Sequence, residues 1–219
     1  MAGKEQLKDV EFAENPEPRC ACALLLDTSG SMSGAPIDAL NQGLIVFKQQ
    51  LAKDPQASKR VEIAVISFAD DVTDIQDFVT VDAFDPPTLS AGGGTSMGAG
   101  IIRALDMIEA RKQLYKKNGV TYYRPWVFMI TDGEPTDSIE TASQRIGDAE
   151  TKKKVAFFPV GVEGANMGVL KQVSVRSPVK LKGLDFSAMF VWLSQSMGGV
   201  SRSRTDEMVA LPPAGWASV

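Results

Sequence analysis

Four stretches of the chain are almost continuously apolar and are bounded by turn-forming residues. They are residues 20–26, 61–68, 126–130 and 155–162. Strands without polar alternation are buried on both faces, which is typical of a parallel sheet that is covered by helices. The pattern therefore predicts four central parallel strands.

Between these runs, apolar residues recur every three or four positions, which is the period of an amphipathic helix. Residues 37–51 and 97–115 show this period, and residues 138–153 form a more polar helix whose expected N-cap is Asp137 or Ser138. Strands that alternate with such helices predict a doubly wound α/β fold with right-handed crossovers.

Shorter patterns complete the predicted fold. Residues 72–79 follow an expected tight turn at Asp70 and Asp71. Their polar residues predict an antiparallel edge strand with one solvent-exposed face. A short helix, a last edge strand and a final helix are expected at 167–173, 179–181 and 186–196. The predicted fold class is thus a doubly wound, mostly parallel sheet with one antiparallel edge strand and helices on both faces.

The same pattern divides the chain into three parts. Residues 1–17 form a polar N-terminal extension, residues 18–201 form one α/β domain, and residues 202–219 form an irregular tail that contains prolines. A lone tryptophan is costly to leave in water, so Trp216 in the tail is expected to pack against the domain.

The composition and charge of the chain argue against several classes of function. With 219 residues, 44% hydrophobic and 23% charged, the chain has an ordinary globular composition. A net charge of −4 and only short basic runs argue against nucleic-acid binding. The sequence has no apolar run of about 18 residues that could span a membrane, and its first 19 residues do not resemble a signal peptide. We therefore expect a cytoplasmic protein.

Histidine is absent from the sequence, which excludes Ser-His-Asp and Cys-His nucleophilic systems and every histidine-based zinc site. The two cysteines, Cys20 and Cys22, cannot form a four-cysteine site. They point to the same face of one expected strand, where an extended backbone is unfavourable for a mutual disulfide. They are expected to be small buried thiols in a reducing compartment.

Oxygen-bearing side chains follow predicted strands and loops at three places. Asp27, Ser29 and Ser31 follow the first strand, Thr95 follows a run of three glycines, and Asp132 follows the strand at 126–130. In doubly wound sheets the carboxyl ends of strands form the ligand-binding rim. Such hard oxygen donors suit Mg²⁺, with Mn²⁺ as the alternative.

Each motif also has a simpler interpretation. Asp and Ser after a strand are common helix caps and turn formers. The glycine run at 92–94 resembles a phosphate cradle, but no Gly-Lys-Ser/Thr follows it. Glu134 and Asp137 are interpreted as acids that favour a helix start, and Asp70-Asp71 as turn residues.

An enzymatic alternative also exists. Asp27 could be the phosphoryl acceptor of a metal-dependent phosphatase or phosphotransferase. Phosphatases of the haloacid-dehalogenase type need a second acid two residues further on, and that position is Ser29. The sequence therefore favours a binding site over a catalytic one.

The combined motif resembles a known family. Asp27-x-Ser29-x-Ser31, Thr95 in its glycine-rich loop and Asp132-Gly133 are similar to the metal-ion-dependent adhesion site (MIDAS) of von Willebrand factor A (VWA) domains, over about residues 18–200. Residues 92–98 and 131–137 most resemble the bacterial TerY-like tellurium-resistance proteins.

This resemblance implies a Rossmann-like fold, a bound Mg²⁺ and no enzymatic activity. It implies that Ser29 and Ser31 bind the metal directly, that Asp27 and Asp132 bind it partly through water, and that Thr95 binds in the ligand-engaged state. A partner protein would then offer an Asp or Glu to the metal. The TerY-like similarity implies a tellurite- or stress-resistance complex with kinase-like or phosphatase-like partners, and leaves open that the module is itself a kinase substrate.

Overall fold

The computed structural model describes residues 12–132, 134–205 and 207–218. Its centre is one sheet, with the strand order β3-β2-β1-β4-β5-β6-β7. The strands are β1 (Cys20–Asp27), β2 (Val61–Phe68), β3 (Val72–Thr80), β4 (Trp126–Thr131), β5 (Ala156–Gly161), β6 (Val179–Leu181) and β7 (Ala217–Ser218). Strands β3 and β7 are antiparallel to their neighbours at the two edges, and the other pairings are parallel.

Helices connect the strands and cover both faces of the sheet. They are α1 (Ala35–Ala52), α2 (Pro55–Arg60), α3 (Met97–Lys117), α4 (Glu140–Thr151), α5 (Met167–Gln172) and α6 (Phe186–Arg202). Helix α2 was not predicted, because it is short and polar; it begins where the Asp54 side chain accepts hydrogen bonds from the amides of Gln56 and Ala57. Within the described residues, no helix combines the length and apolarity that a membrane crossing requires.

Alternate residues of the central strands build two separate cores. In β1, Leu24 and Leu26 contribute to the core beneath α1 and α6, whereas Ala23 and Leu25 contribute to the core beneath α3 and α4. All eight residues of β1 are buried, because a central parallel strand has helices on both sides. The predicted fold class, with its antiparallel edge strand β3, is therefore confirmed.

The C-terminal tail differs from its prediction. Residues 179–181 were expected to form an edge strand, but β7 pairs with them and forms the edge instead. The tail is consequently not irregular throughout. The expectation that Trp216 packs against the domain is confirmed, since only 4% of its surface is exposed.

A buried ion cluster lies near the start of β1 and β2. Glu62 is fully buried, and its carboxylate accepts hydrogen bonds from Arg111 Nε and Nη2 at 2.7 and 2.8 Å and another from the Tyr115 hydroxyl. Arg19 Nε lies 2.8 Å from the same carboxylate. The apolar pattern of residues 61–68 did not predict this cluster, because its partners come from distant parts of the chain.

Replacing Glu62 by Gln should destabilise the protein by about 3–5 kcal/mol, because two buried guanidinium groups would lose their counter-charge. Urea unfolding measures this change. The matched control is Asp148→Asn, which breaks the exposed 2.9 Å pair with Lys152 and should leave the free energy of unfolding nearly unchanged. Equal losses in the two variants would contradict the structural role of the cluster.

The cysteines are free and buried, as predicted. Burial raises the pKa of Cys20, and it raises the pKa of Cys22 to about 12. Because the thiolate is the reactive form, neither thiol should react with 5,5′-dithiobis(2-nitrobenzoate) in native protein at pH 8. Both should react at once in guanidinium chloride. Rapid colour development without denaturant would show that the strand is accessible.

Candidate metal centre

The site begins at the buried end of β1. Asp27 is fully buried, and its Oδ1 accepts a hydrogen bond from the Ser29 amide at 2.8 Å. Its Oδ2 accepts one from the Thr131 hydroxyl, the last residue of β4, at 2.5 Å. Burial raises the pKa of Asp27, the hydrogen bonds from Ser29 and Thr131 oppose this, and the charge of Asp132 adds to the rise. The ionised carboxylate is thus held in an unfavourable environment that a nearby cation would improve.

The loop after β1 meets the loop after β4. A short 3₁₀ turn, Gly30–Met32, follows Ser29 and turns the chain at the rim. The hydroxyl oxygens of Ser29 and Ser31 lie 3.1 Å apart, and Ser31 donates a hydrogen bond to Asp132 Oδ1 at 2.8 Å. A continuous series of hydrogen bonds therefore links Asp27 to Ser29, Ser29 to Ser31, and Ser31 to Asp132.

The glycine-rich loop brings the fifth residue, Thr95, against these two loops. The Gly30 amide donates to the Gly93 carbonyl at 3.0 Å, and the Gly92 amide donates to the Thr28 carbonyl at 2.8 Å. Only 5% of Thr95 is exposed. Within the described part of the chain its hydroxyl makes no hydrogen bond, which leaves that oxygen available to a ligand.

Sequence reasoning missed the residues that hold the glycine-rich loop in place. Asp70, interpreted as a turn residue, accepts a hydrogen bond from the Gly94 amide at 2.7 Å, and a Cβ on Gly93 (φ 79°) would overlap its carboxylate. On the other side, Thr136 and Thr95 exchange two hydrogen bonds of 2.9 and 3.1 Å. The order of residues along the chain carries no signal for these contacts, because they join separate loops.

Asp137 caps a different helix from the one that the sequence predicted. The sequence placed Asp137 or Ser138 at the start of α4, but Ile139 occupies the N-cap position without a side-chain hydrogen bond. Asp137 instead accepts hydrogen bonds from the amides of Gly98 and Ala99, at 3.0 and 2.8 Å, in the first turn of α3. The acid does stabilise a helix start, as predicted, but on the helix that follows Thr95.

The chemistry of the donors fits a hard divalent cation. Five oxygen-bearing groups lie at the rim. They are the carboxylates of Asp27 and Asp132 and the hydroxyls of Ser29, Ser31 and Thr95, and oxygen atoms are the ligands that such cations prefer. Asp27, Ser29 and Thr95 are buried, whereas Ser31 is exposed and Asp132 is half-buried, so the site is open on one side. Among the described residues no group of three or more His, Cys, Asp or Glu could hold a metal, and the candidate site accordingly combines two carboxylates with hydroxyl oxygens.

A comparison with protein families agrees with the observed fold. The family description "von Willebrand factor type A domain" matches residues 22–181, which is most of the chain. The chain belongs to the VWA domain family. No curated protein matches the sequence as a relative.

Several solved VWA structures share the fold at low sequence identity. The vWF domain of the type V pili tip protein Mfa5 from Porphyromonas gingivalis has a TM-score of 0.63 and 12% identity, over 88% of this chain and 99% of that one. The ArnB paralog VWA2 from Sulfolobus acidocaldarius has a TM-score of 0.54 and 16% identity, over 82% of this chain and 45% of that one.

Proximal thread matrix protein 1 from the mussel byssus, in a structure with a zinc-occupied MIDAS motif, has a TM-score of 0.51 and 20% identity. That similarity covers 85% of this chain and 46% of the mussel protein. The chain therefore spans about half the length of the mussel and archaeal proteins. At these identities the similarity establishes the fold alone.

The capping role of Asp137 can be tested against that of its neighbour. Asp137→Ala should destabilise the protein by about 1 kcal/mol, because two amides at the start of α3 lose their acceptor. Ser138→Ala is the matched control and should be nearly neutral. Thermal unfolding measures both variants, and a larger loss in Ser138→Ala would favour the cap predicted from sequence.

Proposed function

We propose that this VWA domain is a Mg²⁺-dependent protein-binding module that captures a partner carboxylate at Asp27, Ser29, Ser31, Thr95 and Asp132. Mn²⁺ is the alternative ion. The observation that carries the proposal is the environment of Asp27, which is fully buried and contacts only neutral donors among the described residues. A buried carboxylate without a cationic partner is unfavourable, and a metal ion would supply the missing charge.

A comparison within the molecule supports this interpretation. Among the described residues, the other fully buried carboxylate is that of Glu62, which lies between Arg19 and Arg111 and receives positive charge from the chain itself. Asp27 has the hydroxyl of Thr131 and the amide of Ser29 instead. The chain thus neutralises one buried acid internally and leaves the other at an open rim, where an external cation has access.

The donor set also explains why the bound metal would attract a partner. Asp27 and Asp132 together balance the charge of a divalent ion, while the hydroxyls of Ser29, Ser31 and Thr95 are neutral. We assign direct contacts to Ser29 and Ser31, contacts partly through water to Asp27 and Asp132, and a contact in the ligand-engaged state to Thr95. The metal would supply an electrophilic position, and an Asp or Glu of a partner protein would fill it.

The same geometry gives little support to the phosphatase alternative. A phosphoryl acceptor must reach the phosphorus of a phosphate ester, which is far bulkier than a metal ion, but both oxygens of Asp27 are buried and hydrogen-bonded. Ser29 occupies the position where an acid/base residue would be needed. We therefore propose binding rather than catalysis.

The wider context of the proposal rests on the TerY-like resemblance of residues 92–98 and 131–137. It assigns the module to a bacterial tellurite- or stress-resistance complex, with kinase-like or phosphatase-like proteins of the same system as partners. The free thiols of Cys20 and Cys22 fit the reducing cytoplasm that this context requires.

Titration calorimetry of Mg²⁺ and Mn²⁺ into EDTA-stripped protein tests the metal site, with Zn²⁺ included because the mussel structure holds zinc. Saturable binding of one ion is expected. Asp27→Ala should weaken it at least about 100-fold and leave the circular dichroism spectrum unchanged. Asp71→Ala, which removes an exposed acid near the rim, is the matched control and should bind normally.

Two results would contradict the metal-dependent module. If Asp27→Ala were unfolded, the metal would be structural. If metal-dependent release of phosphate from p-nitrophenyl phosphate were lost in Asp27→Asn, the domain would be an enzyme.

Partner capture tests the second half of the proposal. Immobilised wild-type protein should retain proteins from a bacterial extract in Mg²⁺ but not in EDTA. Thr95→Ala should bind the metal with unchanged affinity and retain these proteins about tenfold more weakly. Retention that persists in EDTA, or in Asp27→Ala, would show that binding does not use the metal.

A further inference from the structure

An apolar pocket of about 200 Å³ lies at the edge of the sheet beside β6 and shares no residue with the candidate metal centre. Its walls come from β4, β5, β6, α6 and the tail, and they include Phe128, Phe158, Val179, Trp192, Leu211 and Trp216. Aromatic rings line much of it: the ring centroids of Phe128 and Trp192 are 6.4 Å apart, and those of Trp192 and Trp216 are 5.5 Å apart. Such a lining is typical of small-molecule sites.

The tail forms a fixed wall of this pocket. The indole N–H of Trp192 donates a hydrogen bond to the Pro212 carbonyl at 2.8 Å. The amide of Lys182 donates to the Trp216 carbonyl at 3.0 Å, and β7 pairs with β6 just beyond it. The tail is therefore hydrogen-bonded to α6 and attached to β6, and these contacts hold this wall of the pocket in place.

Positive charge lies at the pocket mouth. The guanidinium of Arg176 stacks over the Phe158 ring at 4.9 Å, and its Nε donates to Glu150 Oε1 at 3.0 Å. Glu150 also pairs with Arg124, whose Nη2 lies 3.0 Å from Oε2. Two guanidinium groups thus share one carboxylate, which leaves one excess positive charge. The terminal amino groups of Arg176 make no hydrogen bond within the described part of the chain.

The wall also contains an unsatisfied donor. The indole N–H of Trp216 is buried and finds no acceptor among the described residues. Most buried N–H groups in proteins have a partner, so this donor is available to a water molecule or to a ligand atom.

We propose that this pocket binds a compact apolar carboxylate, namely a one- or two-ring aromatic acid or an aliphatic acid of similar size. The apolar body fills the space between Phe128, Val179 and Trp192, and the carboxylate meets Arg176 at the mouth. The volume suits this class, because an apolar cavity of about 150 Å³ already accommodates benzene. A cationic ligand is disfavoured by the excess positive charge.

The test uses calorimetry of the full chain with 1-naphthoate and its neutral counterpart, 1-naphthalenemethanol. EDTA is present so that the carboxylate cannot bind through a metal ion. Naphthoate should bind with one-to-one stoichiometry and about five- to tenfold more tightly than the alcohol. Arg176→Gln should remove this difference by weakening naphthoate alone.

Two further variants locate the site. Ala214→Leu places a larger side chain in the pocket wall and should abolish binding of both compounds. Arg145→Gln, which breaks an exposed pair with Asp106 elsewhere, is the control and should leave both affinities unchanged. If Ala214→Leu did not fold, methyl chemical shifts of Val160 and Val179 in the wild type would report the site instead.

Three outcomes would overturn the proposal. Absence of saturable binding for both compounds up to millimolar concentrations would exclude the pocket as a ligand site. Undiminished binding to folded Ala214→Leu, or unchanged Val160 and Val179 methyl shifts, would place the ligand elsewhere. Equal affinities of acid and alcohol in the wild type would exclude recognition of the carboxylate by Arg176.

Discussion

The site depends above all on the adjacency of β1 and β4 at the centre of the sheet. These parallel strands pair from Cys22 with Trp126 to Leu26 with Ile130, so both end at the same level of one rim. Asp27 and Thr131 are consequently close enough to share a hydrogen bond, although about a hundred residues separate them. The loops that follow then meet through Ser31 and Asp132. Every oxygen of the candidate metal centre is positioned relative to this strand pair.

Two acids of the described residues, Glu62 and Asp27, are fully buried, and their surroundings differ at the two ends of the sheet. Near the start of the strands, Glu62 is surrounded by guanidinium groups and a phenol, and the charge is balanced inside the protein. At the carboxyl ends, Asp27 has only neutral donors. The first arrangement supplies its counter-charge from the chain itself, whereas under the proposed function a cation would supply the counter-charge of the second. This contrast supports a binding role for the rim.

The C-terminal tail contributes to both the edge of the sheet and the apolar pocket. By pairing with β6, β7 covers an edge that would otherwise expose unpaired backbone groups. The same segment places Trp216 against Trp192 and closes one side of an apolar pocket. A segment whose sequence is rich in proline and lacks regular periodicity thus contributes both to the stability of the sheet edge and to a candidate ligand site.

The sequence by itself determined the α/β class and the positions of the central strands, and it indicated the five candidate oxygen donors, because these depend on local patterns of burial and on short motifs. Its continuous apolar runs specify strands buried on both faces, and Asp27 and Asp132 directly follow or end two of them. Only the tertiary structure decided which distant groups meet. Asp137 caps α3 rather than α4, Asp70 holds the glycine-rich loop, and β7 makes β6 an internal strand. These contacts join separate loops and edges, so they depend on how the elements pack, and a local pattern contains no information about that packing.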